Sequence, residues 1–321
     1  HQEDVYMPLT PMFHVHAWGM PYVATSLGVK QVYPGKYAPG TILQLVAGEG
    51  VTFSHCVPTV MHMLMNHPSF NELDLSRWKL LIGGSALRKS MCQTAMARGI
   101  DIFTGYGMSE TCPILTVAHV HRNDLEFGEE VDLRCTTGRP IPLVELRLVD
   151  EQMNEVAHDG EQVGEIVVRT PWLTQGYLKD QRNSENLWRG GYLHTGDVAS
   201  IDHGNYVTIS DRIKDVIKTG GEWLSSLELE DAISLHPGVA EVAVIGRQDS
   251  KWGERPLALV IPREGVEPPT PRQIIRHLSH FIEKGLLSKQ AMLLKMKLVD
   301  AIDKTSVGKI DKKNLRIKHL P

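Results

Sequence analysis

The first 120 residues alternate strand-like and helix-like runs, and this alternation constrains the fold more than any other feature. The apolar, β-rich runs are "VYMPLTPM", "VTFSHCV", "WKLLIGG" and "IDIFTGYG". The helix-like runs between them include "PGTILQLVAGEG", "PTVMHMLMNH" and "SALRKSMCQTAMARG". Strands separated by helices are typical of a parallel sheet covered on both faces. The sequence therefore predicts an α/β fold for residues 1–120.

Two further segments differ from the first in character. Residues 121–211 hold short strands punctuated by turns, such as "VELRLVD" and "GEIVVRT", which predicts a small β-barrel or sandwich. Residues 212–321 mix helices and strands. Within them "TPRQIIRHLSHFIEKG" has Thr270 as its cap and Gln273 closing a capping box, and a second box begins at Ser225. We therefore expect an α/β domain with a β-barrel or sandwich, followed by a small C-terminal α+β domain with its own core.

Composition excludes several classes of protein. The formal net charge is −4 and the pI is about 6.4, whereas nucleic-acid-binding proteins are usually basic. No run of 18 apolar residues is present, so we expect no membrane span. The 4 cysteines form no C-x-x-C pair, which is typical of reduced thiols in a cytoplasmic protein. The chain opens at His1 on an apolar strand, which suggests a piece of a longer protein.

The run "TGYGMSET", residues 104–111, is the densest candidate site. A strand is predicted to end there and a helix to begin near Ser109, where backbone amides bind anions. Tyr106 offers a flat face to a base, while Ser109 and Glu110 suit phosphate and Mg²⁺. An ordinary capped turn explains the run equally well. A second glycine turn, "LIGGSAL", favours a ligand site because both turns end strands of one sheet.

Three other polar runs have an ordinary explanation and a functional one. In "YLHTGDVA", Asp197 caps a turn or accepts two ribose hydroxyls. The run "DRIKDVIKTGGEW" mixes alternating charges with a Gly-Gly turn, which by itself favours a solvated hinge. In "PMFHVHAWG", a strand would place His14 and His16 on one face. Without a third ligand at suitable spacing, these histidines are better pocket-lining or core residues than a zinc site.

The run "DKTSVGKIDKKNLR", residues 303–316, resembles a phosphate-binding Walker loop but fails its spacing. A Walker loop has glycine five positions before its Gly-Lys pair and Ser or Thr after it, whereas this chain has Asp303 and Ile310. Lys309 therefore needs another role. We expect the basic residues that follow, Lys312, Lys313 and Arg316, to form a solvated rim.

Taken in order, these runs resemble the core motifs of the adenylate-forming superfamily, which includes acyl-CoA synthetases, luciferases and peptide-synthetase adenylation domains. The resemblance covers essentially the whole chain and is most like medium- or long-chain fatty acyl-CoA ligases. It implies two half-reactions. A carboxylate attacks the α-phosphate of Mg·ATP to give acyl-AMP, and the thiol of coenzyme A then displaces AMP. The C-terminal domain rotates between these steps.

The resemblance implies a role for each matching residue. Catalysis would involve Lys309, Glu110 and Ser109, with Glu110 holding Mg²⁺ and Lys309 bridging the carboxylate and the α-phosphate. The residues that would bind AMP or ATP are Gly84, Ser85, Ala86, Gly105, Tyr106, Gly107, Met108, Asp197 and Arg212. Those that would border the acyl pocket are His14, Val15 and Trp18. Lys214 would be the hinge, and the coenzyme A channel would be shaped by Gly220, Gly221, Glu222 and Trp223.

The chain departs from the family pattern mainly at its start. The family's glycine-, serine- and threonine-rich phosphate loop is absent, so we expect this piece alone to be poorly active. Gly308 would let the backbone turn tightly as Lys309 enters the site. Two alternatives stay open: an aryl-acid CoA ligase or an acyl-AMP ligase serving a carrier protein, and a non-catalytic nucleotide- or acyl-binding fragment. The expected partners are small-molecule substrates, with a homodimer expected only by analogy with the family.

Overall fold

The computed structural model describes residues 1–120, 125–220, 222–305 and 309–320. The strands are β1 (Val5–Pro8), β2 (Lys30–Gln31), β3 (Phe53–Cys56), β4 (Lys79–Ile82), β5 (Asp101–Gly107), β6 (Ile114–Val117), β7 (Arg139–Pro140), β8 (Glu145–Val149), β9 (Gly164–Arg169), β10 (Leu193–Ile201), β11 (Val207–Arg212), β12 (Ile217–Thr219), β13 (Glu222–Leu224), β14 (Val239–Asp249), β15 (Gly253–Pro262) and β16 (Lys295–Leu298). The helical segments are α1 (Val15–Trp18), α2 (Met20–Ser26), α3 (Pro39–Gly48), α4 (Pro58–Met65), α5 (Ser69–Glu72), α6 (Lys89–Ala97), α7 (Phe127–Cys135), α8 (Gln181–Leu187), α9 (Ser226–Ser234), α10 (Pro271–Glu283) and α11 (Lys312–His319).

The chain folds into two compact units. The first consists of His1–Thr195 and Ala199–Ile209, and the second of Gly196–Val198 and Ser210–Pro321. Within the described ranges, no helix is long and apolar enough to cross a membrane. All four cysteines are free thiols.

The first unit is built on a sheet of order β2-β1-β3-β4-β5-β6-β7. The strands from β2 to β5 run parallel, as the strand–helix alternation predicts, whereas β6 and β7 pair antiparallel. Its core contains the fully buried Trp78, Phe70 and Met61. A four-stranded sheet, β11-β10-β9-β8, follows in the segment predicted to be rich in short strands. The mixed α/β fold class is therefore confirmed.

The second unit packs helices on both faces of a small sheet formed by β12 to β16. The side chains of β14 alternate between two apolar clusters: Val242 and Val244 point into one, and Ala243 and Ile245 into the other. Helix α10 begins as its sequence predicts. The Thr270 side chain accepts a hydrogen bond from the Gln273 amide, and Gln273 closes the capping box.

Candidate active site

The parallel strands of the first unit bring both glycine turns to the same edge of the sheet. The register pairs Cys56 with Ile82 and Ile82 with Thr104, so β3, β4 and β5 end side by side. Gly83 and Gly84 follow β4, and Gly105 and Gly107 lie at the end of β5. The Gly84–Ala86 turn is exposed and the neighbouring residues of β5 are half-buried. The edge is thus accessible, as a ligand site at strand ends requires.

Gly107 occupies a position that no other residue fits. A Cβ atom there would lie 1.8 Å from the carbonyl oxygen of Pro113, well inside van der Waals contact. The chain doubles back at this point because β6 pairs antiparallel with β5. The prediction of a helix beginning near Ser109 was therefore wrong. Ser109–Thr111 forms a single 3₁₀ turn, and Cys112 leaves it in the left-handed conformation.

Glu110 is held on this turn from both its backbone and its side chain. Its carboxylate accepts a hydrogen bond of 2.8 Å from the Tyr177 hydroxyl, and its carbonyl accepts one from the Thr174 amide. Burial and the contact with Glu110 raise the pKa of Tyr177 to about 12, so the phenol stays a hydrogen-bond donor. Sequence reasoning missed Tyr177, which lies 67 residues away in a loop without a motif.

The carboxylate of Glu110 fits one mode of magnesium binding. In the described part of the chain, no group of three or more His, Cys, Asp or Glu side chains could form a complete cage for a metal. Mg²⁺ usually keeps several waters and binds through one or two carboxylates together with substrate phosphates. A single carboxylate held beside a glycine turn is compatible with that mode.

The segment from His14 to Trp18 is not the predicted strand. Val15, His16, Ala17 and Trp18 all have positive φ angles, between 47° and 57°, which makes α1 a left-handed turn. The two-residue alternation expected to place His14 and His16 on one face therefore does not apply. The turn instead directs the half-buried Trp18 onto the end of β3, where its indole stacks on His55.

In the second unit, Asp197 and Arg212 form an ion pair. The Nε atom of Arg212 lies 3.1 Å from a carboxylate oxygen of Asp197, which is 3% exposed. The Ile213 amide donates to the Gly196 carbonyl and holds the two segments together. Lys309 belongs to the same electrostatic environment: burial and the Arg212 charge lower the pKa of its ammonium group, while Asp197 opposes the shift. The sequence predicted these three residues for one site from motifs far apart in the chain.

The proposed hinge at Lys214 lies between two buried carboxylates, Asp215, which contacts α11, and Asp211, which contacts the start of α9. Arg316 donates to the Lys214 carbonyl at 3.1 Å and to Asp215 at 2.7 Å. On the other side, Asp211 accepts hydrogen bonds from the amide and the hydroxyl of Ser226.

Lys312, one helical turn before Arg316, completes this connection. Its ammonium group lies 2.6 Å from the Ser226 hydroxyl and 2.8 Å from the Glu230 carboxylate. The expectation of a solvated basic rim was therefore wrong for Lys312 and Arg316. Lys312 is 8% exposed because its side chain packs against Ser226 and Glu230 of α9, whereas Lys313 is exposed.

Of the "GGEW" run, Gly220 directly follows β12, and Glu222 and Trp223 belong to β13. Gly220 has a φ of 61° and donates its amide to the Trp252 carbonyl. Glu222 accepts a hydrogen bond from Ser288, and the exposed ring of Trp223 lies 5.0 Å from the Lys218 ammonium. Gly221 and Gly308, both singled out in the sequence, lie outside the described residues.

The fold and these strand-end turns define an α/β protein of the adenylate-forming type. A family model described as AMP-binding enzyme matches residues 1–178, and one described as AMP-binding enzyme C-terminal domain matches residues 228–309. The chain belongs to the AMP-binding enzyme family.

Relatives and solved structures agree with this assignment. The chain is 41% identical to a long-chain-fatty-acid–CoA ligase of Thermus thermophilus, over 98% of this chain and 58% of the relative. It is 39% identical to a 3-methylmercaptopropionyl-CoA ligase of Ruegeria lacuscaerulensis, with the same coverage. The solved structure of ATP-bound MatB from Rhodopseudomonas palustris matches with a TM-score of 0.83 and 27% identity, over 99% of this chain and 60% of that one. The chain thus spans less than two thirds of the length of these proteins.

Proposed function

We propose that the protein carrying this chain is an acid–thiol ligase that converts a fatty acid, ATP and coenzyme A into a fatty acyl-CoA. The proposal rests on the match of both family models to this one chain. The two relatives described above are both named as CoA ligases, which supports it. The acyl groups in those two names are open-chain, which favours an aliphatic acid over an aryl acid. A medium- or long-chain acid is the substrate class we propose.

The glycine turns of the first unit are proposed to bind the nucleotide. Tyr106 would stack on adenine, and the exposed Gly84–Ala86 turn would border its other side. Ser109 would contact the α-phosphate. Glu110 is proposed to hold Mg²⁺, which when bound supplies positive charge to the phosphates. The Tyr177 hydroxyl would fix the orientation of that carboxylate, because it already donates to one of its oxygens.

The second unit is proposed to contribute the ribose site and the catalytic cation. Asp197 would accept the ribose hydroxyls, and Arg212 would keep that carboxylate oriented through their ion pair. In the first half-reaction the acid's carboxylate oxygen attacks the α-phosphorus, and the bond to pyrophosphate breaks. The Lys309 ammonium would stabilise the charge that builds on the phosphoryl oxygens. In the second half-reaction the coenzyme A sulfur attacks the acyl carbon and AMP leaves.

The proposal also includes rotation about Lys214 between the half-reactions and a coenzyme A channel at Gly220, Glu222 and Trp223. It further includes a cytoplasmic location and a homodimer. The proposed boundaries of 1–120, 121–211 and 212–321 are also part of it.

Separating the half-reactions tests the proposal. Lys309→Ala in the full-length protein should abolish pyrophosphate release from ATP and fatty acid, while thioester formation from supplied acyl-AMP stays largely intact. Lys313→Ala, an exposed lysine four residues further on, is the matched control and should leave both steps unchanged. Equal loss of both half-reactions in Lys309→Ala would refute the assigned role.

A further inference from the structure

His55 is a buried histidine with both ring nitrogens engaged. It is 1% exposed on β3, and its Nε2 lies 2.6 Å from the Tyr6 hydroxyl while its Nδ1 lies 3.1 Å from the Thr10 hydroxyl. Burial lowers the pKa of His55 to about 3, so the imidazole is neutral at any working pH. Two hydrogen bonds on opposite sides of the ring fix its plane. None of the roles proposed above uses this residue.

The fixed imidazole supports the indole of Trp18. The two rings stack with centroids 4.8 Å apart and an angle of 25° between their planes. The far edge of the same indole lies over Gly83, where a Cβ atom would come within 2.7 Å of it. That Cβ would also lie 3.2 Å from the carbonyl oxygen of Gly105. Trp18 is therefore seated across the ends of β3 and β4, next to the strand that carries Tyr106.

The backbone that presents Trp18 is in an uncommon conformation. Four consecutive non-glycine residues, Val15–Trp18, have positive φ angles, and one of them is β-branched. Such residues cost on the order of 1–3 kcal/mol each and persist only where the surrounding structure determines them. The stack on His55 and the contact at Gly83 are two of the determinants. The position of the indole is thus specified rather than incidental.

We infer that His55 is a positioning residue that sets the height of the Trp18 indole and thereby the depth of the acyl-chain site. The inference rests on the proposed function and on the role that the family resemblance implies for Trp18, which is to border the acyl pocket. The flat, neutral imidazole of His55 prevents the Trp18 indole from moving toward the sheet. Because Gly83 has no Cβ, the far edge of the indole can lie close to the backbone at the end of β4. His55 and Gly83 are the two supports of the indole, since His55 limits its approach to the sheet and Gly83 leaves room for its far edge. Together they fix the space that remains for the acyl chain on the exposed side of the indole.

The two supports predict opposite shifts in chain-length preference. The assay is kcat/KM for pyrophosphate release by the full-length protein over straight-chain acids of graded length. His55→Ala removes the ring under the indole, so the indole settles toward the sheet and the optimum moves to longer acids. Gly83→Ala raises the indole, so the optimum moves to shorter acids. The ratio of kcat/KM for two acids that differ by two carbons should change roughly 10-fold or more between each variant and the wild type. One methylene in an apolar pocket changes kcat/KM by about 10-fold.

The controls separate positioning from a general structural effect. His62→Ala removes an exposed histidine from α4 and should leave the profile unchanged. His55→Phe restores a flat ring without the hydrogen bonds, and should restore the wild-type preference even if it lowers stability. KM for ATP should stay within about twofold in His55→Ala and His55→Phe, because His55 lies under the acyl site and not in a glycine turn.

The outcomes distinguish this inference from the proposed function. A wild-type protein that releases no pyrophosphate with any acid defeats the proposed function. An active wild type whose preference is unchanged in both His55→Ala and Gly83→Ala, or shifted in the same direction by both, overturns the role of His55. A crystal structure of His55→Ala gives a readout that needs no activity. The indole should lie closer to β3 than in the wild type, and an unmoved indole overturns the inference.

Discussion

Replacing Lys312 with methionine should destabilise the second unit far more than its place in a basic run of sequence suggests. The ammonium group is 8% exposed and lies 2.8 Å from the Glu230 carboxylate, which also accepts a hydrogen bond from the Val244 amide at 2.7 Å. Methionine keeps most of the side-chain volume but leaves the carboxylate buried without its cation. Breaking a buried pair in this way costs roughly 3–5 kcal/mol.

The pH dependence of this loss has a defined sign. Burial already raises the pKa of Glu230 above its ordinary value of 4.5, and Lys312 opposes that shift. Without Lys312 the pKa rises further, so the folded state favours the protonated acid. The destabilisation of Lys312→Met should therefore be smallest near pH 4.5 and grow as the pH rises toward neutrality.

The assay is native-state hydrogen exchange, because a chain with two compact units need not unfold in a single step. Exchange of the β14 amides, including Val244, should accelerate strongly in Lys312→Met. Lys312→Met combined with Glu230→Gln removes both charges and should recover most of the loss. The exposed neighbour provides the control: Lys313→Met should change stability by no more than about 0.5 kcal/mol. If Lys312→Met behaves like Lys313→Met, or the double variant is as unstable as the single one, the buried pair does not have the assigned energetic role.

Three further predictions follow from single residues. Because the pKa of Lys309 is lowered, the rate of pyrophosphate release should fall with rising pH below 10.5, the ordinary pKa of lysine. A rate that falls only at or above pH 10.5 would contradict the environment assigned to Lys309. Gly107→Ala places a Cβ 1.8 Å from the Pro113 carbonyl oxygen, so thermal denaturation should show a loss of roughly 1–3 kcal/mol, and an unchanged melting temperature would show that the turn relaxes freely. Thr270→Ala removes the cap of α10 and should cost about 1 kcal/mol, measured by exchange of the α10 amides. Arg276→Ala on the exposed side of the same helix serves as control, and equal effects would rule out the cap.

Local signals predicted those elements whose structure is decided by neighbours in sequence. The strands around "WKLLIGG" and "GEIVVRT" and the box from Thr270 to Gln273 are confirmed because alternation, apolar runs and capping chemistry act over a few residues. The parallel order of the first sheet also followed, since strands joined by helices pair in parallel.

The remaining features depend on partners distant in sequence. The left-handed turn that ends at Trp18 places the indole against His55 and Gly83, which lie 37 and 65 residues further along the chain. Lys312 is buried because Ser226 and Glu230 meet it across the second unit, whereas the local run "KKNLR" has the composition of a surface. The helix predicted after Tyr106 gave way to a hairpin because β6 pairs with β5. In each case a tertiary contact overrode the local pattern.

The central proposal is tested most directly by pyrophosphate release from the full-length protein with ATP, Mg²⁺ and acids of graded chain length, with and without coenzyme A. The proposal predicts pyrophosphate release with medium- or long-chain fatty acids and thioester formation once coenzyme A is added. Release that requires an aryl acid, or acyl-AMP that accumulates without passing to coenzyme A, would support one of the alternatives. No pyrophosphate with any acid would contradict the proposed ligase activity.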